Sequence, residues 1–171
     1  METTVLLKEL IKIKEKQSFQ VKYLGCETVI KPGEEDVTSV MQNLTFVSKY
    51  LLKKVPYSNL QLSLRGIEIF DNARTGKSVL FPIDKIIYCA VDKSQSNVFC
   101  FVLYRRPMLE CHVLSCKTKK CAKRLALELG VAFQRASQSK LKEEKSQEKH
   151  KLQTKSKYPW QQIKNTSKLE H

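Results

Sequence analysis

The chain has 171 residues, 42% hydrophobic and 28% charged, and its 31 Lys and Arg outnumber 17 Asp and Glu for a formal net charge of +14. That length and apolar content suit one domain with a real core plus a tail, and no apolar run approaches the ~20 residues that cross a bilayer as a helix. Six cysteines, at positions 26, 89, 100, 111, 116 and 121, are too few for a disulfide scaffold. Several lie in apolar runs, where a free thiol packs as a small hydrophobe. With an acidic, charge-interrupted start that reads as no secretory signal, the expected compartment is the reducing cytosol.

Val5, Leu6, Leu7, Leu10, Ile11 and Ile13, set among Lys8, Glu9, Lys12 and Lys14, predict an amphipathic helix within residues 1–17. Ser18–Gly25 then alternates apolar and polar residues as a strand does, and Thr28-Val29-Ile30 continues it to the turn Lys31-Pro32-Gly33. Behind Glu34-Glu35-Asp36, the apolar residues Val37, Val40, Met41, Leu44, Val47, Leu51 and Leu52 step by three and four. The acidic first turn and basic last turn (Lys49, Lys53, Lys54) of this helix both suit its dipole, and Val55-Pro56 ends it.

From Leu60 the period falls to two. Leu60–Leu64, Ile67–Phe70, Val79–Phe81, Ile86–Val91, Val98–Tyr104 and Leu109–Leu114 read as short strands separated by turn chemistry. Pro82, with no N–H to give a ladder, limits the third of them. From Thr118, Ala122, Leu125, Leu129, Ala132, Phe133 and Ala136 mark one face of a long helix. Gly130 within it costs ~1 kcal/mol against Ala, which implies close packing on a sheet. Strand, helix, a run of strands and a final helix make an α+β chain with an antiparallel sandwich or barrel.

Charge is uneven along the chain: residues 1–133 hold 21 basic and 13 acidic side chains, residues 134–171 hold 10 and 4. Ser137–Lys157 reads as a charged helical extension that frays, and 141–171 as a basic, disordered tail. Such a tail attracts any polyanion without choosing among them. Leu169-Glu170-His171 resemble the start of an affinity tag.

Phe19-Gln20-Val21-Lys22-Tyr23-Leu24-Gly25-Cys26 resembles the first strand of a phosphotyrosine-binding (PTB) domain, where a Tyr-Leu-Gly triplet is characteristic. Leu64–Ile69, Ile86–Lys93, Glu110–Leu114 and the helix segment Gly130-Val131-Ala132-Phe133 resemble further parts of the family in the same order. The resemblance spans Ser18 to Lys140 and is strongest to the Disabled and Numb branch, within it the low-density-lipoprotein receptor adaptors. It implies a pleckstrin-homology-type bent antiparallel β-sandwich of about seven strands, with a helix after the first strand and a C-terminal capping helix.

The resemblance also implies a mechanism. An extended peptide adds as an antiparallel strand to Ile86, Ile87, Tyr88, Cys89, Ala90 and Val91. Its Asn-Pro-x-Tyr turn then lies against a wall formed by Leu125, Leu129 and Phe133. Phosphate-reading members carry an arginine just before the segment matching Glu110-Cys111-His112; here that residue is Leu109, with Arg105 and Arg106 in a nearby turn. Recognition of unphosphorylated tyrosine is therefore implied. Lys22, Lys53 and Lys54 match positions that hold a phosphoinositide headgroup, a weak contact that biases location without anchoring. The expected protein is a monomeric, non-catalytic adaptor needing no cofactor or metal and no specific nucleic acid. It would sit in the cytoplasm, peripheral to the plasma membrane or endocytic vesicles, with the cytoplasmic tails of transmembrane receptors as partners.

Plainer roles stay open for these residues: core packing for Phe133 and a solvated face for the lysines. A pleckstrin-like module binding lipid alone, or a basic nucleic-acid-binding protein, are the rival classes, though RNP-type aromatic strands, zinc spacings and a helix-turn-helix pattern are missing. Gly76-Lys77-Ser78 resembles the end of a P-loop, but position 71 is Asp and the setting is a hairpin. Cys111, Cys116, Cys121 and His112 lack the paired spacing of a zinc site, and His112 and His150 lack a nucleophile partner.

Overall fold

A computed structural model of the chain describes residues 17–51, 54–71 and 76–156. The amphipathic segment of residues 1–16, Leu52, Lys53 and the tip of the 71–76 turn lie outside those residues. The described elements are β1 (Gln17–Val29), α1 (Glu34–Tyr50), β2 (Ser58–Ser63), β3 (Gly66–Phe70) and β4 (Ser78–Pro82). A single 3-10 turn (Ile83–Lys85) then leads to β5 (Ile86–Val91), β6 (Val98–Arg105), β7 (Met108–Cys116) and α2 (Lys119–Ser156). The seven strands form one sheet in the order β4-β3-β2-β1-β7-β6-β5, every pair antiparallel.

Two compact units divide the chain, residues 1–134 and 135–171. In the second, α2 continues to Ser156, and residues 137–151 are all exposed.

β1 belongs to both halves of the sheet. Gln17–Val21 pair with β2, and Val21–Val29 pair with β7. Between Tyr23 and Gly25 the register slips by one residue, and Gly25 takes φ +119°, a backbone conformation that side chains resist. The glycine of the Tyr-Leu-Gly triplet is thus the residue that bends the central strand.

The sheet must curl. Its two edge strands, β4 and β5, would stand ~29 Å apart if it were flat. Only Ile83, Asp84 and Lys85 join them, a link that spans at most ~15 Å between Pro82 and Ile86. Pro82 ends edge strand β4, where its missing N–H costs no ladder bond.

One sheet face packs on α1. Val37, Val40, Met41 and Leu44 of the helix meet Leu24, Val29, Val98, Cys100, Val102, Cys111 and Val113 in one buried cluster. Glu34, Glu35 and Asp36 fill the helix's first turn and Lys49 its last, in the favourable sense for the dipole. The apolar stripe read in the sequence runs further than the helix: α1 ends at Tyr50, and Leu51 caps it through its N–H to Val47 with its side chain 72% exposed. On β6 the residues alternating with that cluster, Phe99, Phe101 and Leu103, point to the opposite face and are buried there.

On that opposite face a polar chain is embedded among rings. His112 stacks on Phe101, with centroids 5.0 Å apart, and Phe81 meets both. Tyr23 Oη lies 2.7 Å from His112 Nδ1, and His112 Nε2 lies 3.0 Å from Glu110 Oε2. A neutral ring with its proton on Nε2 satisfies both neighbours, accepting from the tyrosine and donating to the carboxylate. Burial holds the imidazole below its ordinary pKa, against an opposing pull from Glu110.

A lowered folded-state pKa means the unfolded chain takes up the proton first. The His112 contribution is therefore complete above the ordinary imidazole value of about 6.5 and is lost as pH falls below it. Thermal unfolding should show a lower Tm at about pH 5 than at neutrality, and the drop should shrink in His112→Gln. A pH-independent Tm over that range would contradict this.

Candidate peptide groove

Among the described residues β5 pairs with β6 alone, so its second side carries backbone groups that no described strand pairs along the sheet edge. Ile86 pairs with Leu103 and Tyr88 with Val102, which leaves Ile87 as a bulged residue turned outward. Ile87 is 44% exposed and Phe133 on α2 is 45% exposed. Together with Ile86, Tyr88, Cys89, Leu129 and Gly130 they line an open apolar cavity of about 190 Å³. Leu129 is itself buried in the core, so the wall of this groove is anchored, while Phe133 stands at its rim.

Of the residues expected to meet a peptide, the structure brings Ile86, Ile87, Tyr88, Cys89, Leu129 and Phe133 together. Ala90 and Val91 instead line a neighbouring cavity, of about 360 Å³, beside α1. Leu125 is fully buried beneath the helix and lines neither.

Gly130 differs from its expectation of close packing. It is exposed on the groove side of α2, and a Cβ built there meets nothing within 4 Å. The helix does not need this glycine for room. Gly130→Ala should stabilise the fold by about 0.5–1 kcal/mol in urea unfolding, while its methyl group narrows the groove. A destabilised variant would mean that the added methyl group meets a neighbour.

Two arginines stood near the position where an anion could be read. Arg105 Nε lies 3.7 Å from Glu110 Oε1, so the guanidinium faces a carboxylate already engaged with His112. Leu109 packs against the α1 cluster. Among the lysines, Lys22 Nζ sits 4.8 Å from the ring centroid of Tyr57 and Lys117 Nζ 4.9 Å, so two ammonium groups share one aromatic ring. Lys54 is exposed; Lys53 lies outside the described residues. Lys117 went unmarked in the sequence because nothing local links it to Lys22: the β1–β7 pairing brings them together.

All six cysteines are free thiols. Hydrogen bonding to Cys111 and then burial push the Cys100 thiol well above its ordinary range, and burial pushes Cys116 up to about 12, so neither is a nucleophile near neutral pH. Among the described residues no three His, Cys, Asp or Glu side chains gather as a metal site, and no helix is long and apolar enough to cross a membrane.

The model of the phosphotyrosine interaction domain (PTB/PID) matches residues 19–143, which include the bent first strand, the edge strand and the groove-bearing part of α2. The chain belongs to the phosphotyrosine interaction domain family. It is 32% identical over 118 residues to low density lipoprotein receptor adapter protein 1 of Homo sapiens and to protein 1-B of Xenopus laevis. Each alignment covers 67% of this chain and 38% of the relative. PTB domain-containing engulfment adapter protein 1 of Danio rerio is 29% identical over 121 residues, covering 67% of the chain and 40% of that protein.

The chain thus spans about two fifths of the length of the curated relatives it matches. In three dimensions it resembles the C-terminal phosphotyrosine interaction domain of APBB2 from mouse, with a TM-score of 0.61 at 22% identity, over 70% of this chain and 87% of that one. The fold is accordingly the pleckstrin-like PTB arrangement, and the domain is a non-catalytic adaptor module.

Proposed function

We propose that this PTB/PID domain binds an extended peptide with an Asn-Pro-x-Tyr-type turn, from the cytoplasmic tail of a membrane receptor, as an added antiparallel strand on β5. The carrying observation is the coincidence of an unpaired edge with an apolar cavity lined by Ile86, Ile87, Leu129 and Phe133. Backbone groups of β5 supply affinity that any extended peptide can use, and the cavity supplies selection by side chain. The domain acts as a monomer in the cytoplasm, at the plasma membrane or endocytic vesicles, linking receptor tails to uptake or signalling. Arg105 faces Glu110 and Leu109 is packed, which favours a groove that needs no phosphate.

Calorimetric titration with paired peptides, phosphorylated and plain, tests this reading. The plain peptide should bind, and Phe133→Ala should weaken it by about tenfold or more, since an aromatic side chain that the bound peptide covers contributes about 1–2 kcal/mol or more. The same variant should leave the urea midpoint nearly unchanged, because Phe133 is not in the core. Binding of the phosphorylated form alone would reverse the assignment of tyrosine state; binding of neither would end the proposal.

The lysine pair on Tyr57 favours one additional contact, with a phosphoinositide headgroup through Lys22 and Lys117 and, from the family resemblance, Lys53 and Lys54. Sedimentation with vesicles containing phosphoinositide should fall in Lys22→Ala combined with Lys117→Ala. Unchanged sedimentation would dismiss that contact.

A further inference from the structure

The second cavity lies where the groove continues past the far end of β5. Tyr88 lines both spaces. Glu34, Val37, Thr38, Met41 and Gln42 of α1 form one side of it, and Ala90 to Ser94 the other. Asp92 is only 3% exposed: its Oδ1 accepts from the Ser94 N–H at 3.1 Å and the Ser94 hydroxyl at 3.0 Å. Its Oδ2 is buried and takes no hydrogen bond among the described residues. A buried carboxylate oxygen left without a donor is costly, and such atoms are rare unless something completes them.

The second carboxylate of the cavity, Glu34, is ion-paired with Lys93, and both side chains are well exposed. An exposed pair of this kind contributes little and exchanges easily for a better partner. With Lys93 displaced, the cavity presents two carboxylates and no cation. That local sign is opposite to the chain's net +14, so it is a property of this site and not of the surface at large.

Antiparallel addition fixes which part of a ligand reaches it. A strand running against β5 puts its C-terminal turn by Ile86 and Phe133 and its N-terminal residues by Val91 and Asp92. Asp92 lies five positions beyond Ile87, ~17 Å along the edge. We propose that this cavity is a subsite for a basic side chain, arginine or lysine, about five residues upstream of the ligand residue facing Ile87. The inference rests on the strand-addition reading above. A guanidinium is the better fit, because its planar fork can serve Glu34 and the free oxygen of Asp92 together.

The test uses the full chain and a series of otherwise identical Asn-Pro-x-Tyr peptides. A single arginine is moved one position at a time through an alanine background upstream of the turn. Strand geometry turns alternate side chains to opposite faces, so the gain should appear at one position, or at two positions two apart. There the arginine peptide should bind about fivefold to tenfold tighter than the all-alanine one.

Glu34→Gln should abolish that gain and leave the alanine peptide unchanged, and Asp92→Asn, which keeps an oxygen to accept from Ser94, should do the same. Lys93→Ala, which removes the competing ammonium, should enlarge it. Equal binding of all the peptides would overturn the subsite while leaving the groove standing. Weakening of both peptides alike by Glu34→Gln would also overturn it, since that is a structural effect. If no peptide binds at all, the strand-addition reading fails and the subsite with it.

Discussion

Gly66→Ala should remove most of the domain's stability, by more than about 3 kcal/mol. Gly66 opens β3 at φ +135°, and a Cβ there would sit 2.0 Å from the carbonyl oxygen of Phe81 and 2.8 Å from the nitrogen of Ile83. Both obstacles are backbone, so no rotamer change relieves them. Ile83 also gives its N–H to the Arg65 carbonyl at 2.9 Å, which ties the 3-10 turn to this hairpin. Moving β4 to admit a methyl group would break the link that curls the sheet. Domains of this size carry only about 5–15 kcal/mol in total, so the variant should unfold at a much lower urea concentration or fail to accumulate folded. A midpoint near wild type would show that β4 yields where the structure says it cannot. The contrast with Gly130→Ala, expected to stabilise, separates a glycine the backbone requires from one it does not.

Phe101→Ala should cost about 3–5 kcal/mol, the range for emptying a large aromatic site. Phe101 is fully buried, meets Phe81 edge-on at 5.1 Å and carries the stacked ring of His112. It is also the β6 partner of Cys89 on the receiving strand. Its loss therefore leaves a void under the groove floor and removes the surface that holds His112 between Tyr23 and Glu110. Urea unfolding should show the loss at neutral pH. Peptide affinity at low urea should fall as well, unlike Phe133→Ala, which affects binding alone. A loss of less than about 1 kcal/mol would mean the ring is not wedged between Phe81 and His112.

Much of this fold is legible in the residues themselves. Six of the strands are legible from Leu60 onward, because each is a short alternating or continuously apolar run bounded by a turn-forming segment. The helix after β1 is legible from Val37, Val40, Met41 and Leu44, all of them buried. Its end is not: Leu51 continues the spacing by coincidence, and only the cap shows where the turn stops. Gly130 misleads for a similar reason, since a helical glycine signals either crowding or open space and its neighbours in sequence do not say which.

Asp92 carries a sign that was readable. A carboxylate two residues before a serine at a strand end is the pattern of a side chain closing its own turn. What sequence spacing cannot supply is that α1 stands beside that turn and contributes Glu34, 58 positions earlier. The Lys22–Tyr57–Lys117 group and the Tyr23–His112–Glu110 chain are hidden in the same way, because each is assembled by strand pairing between distant segments.

The central strand's two neighbours are made at very different times. Val21 pairs with Ser58 on one side and with Cys116 on the other. At synthesis rates of about 5–20 residues per second, the second partner follows the first strand out of the ribosome by roughly 5–20 seconds. Until then β1 can complete only one of its ladders, and neither face of the bent sheet can close over its core. A nascent chain that stops short of Cys116 should stay open to proteases and chaperones, and the domain should acquire protection in one late step instead of growing strand by strand.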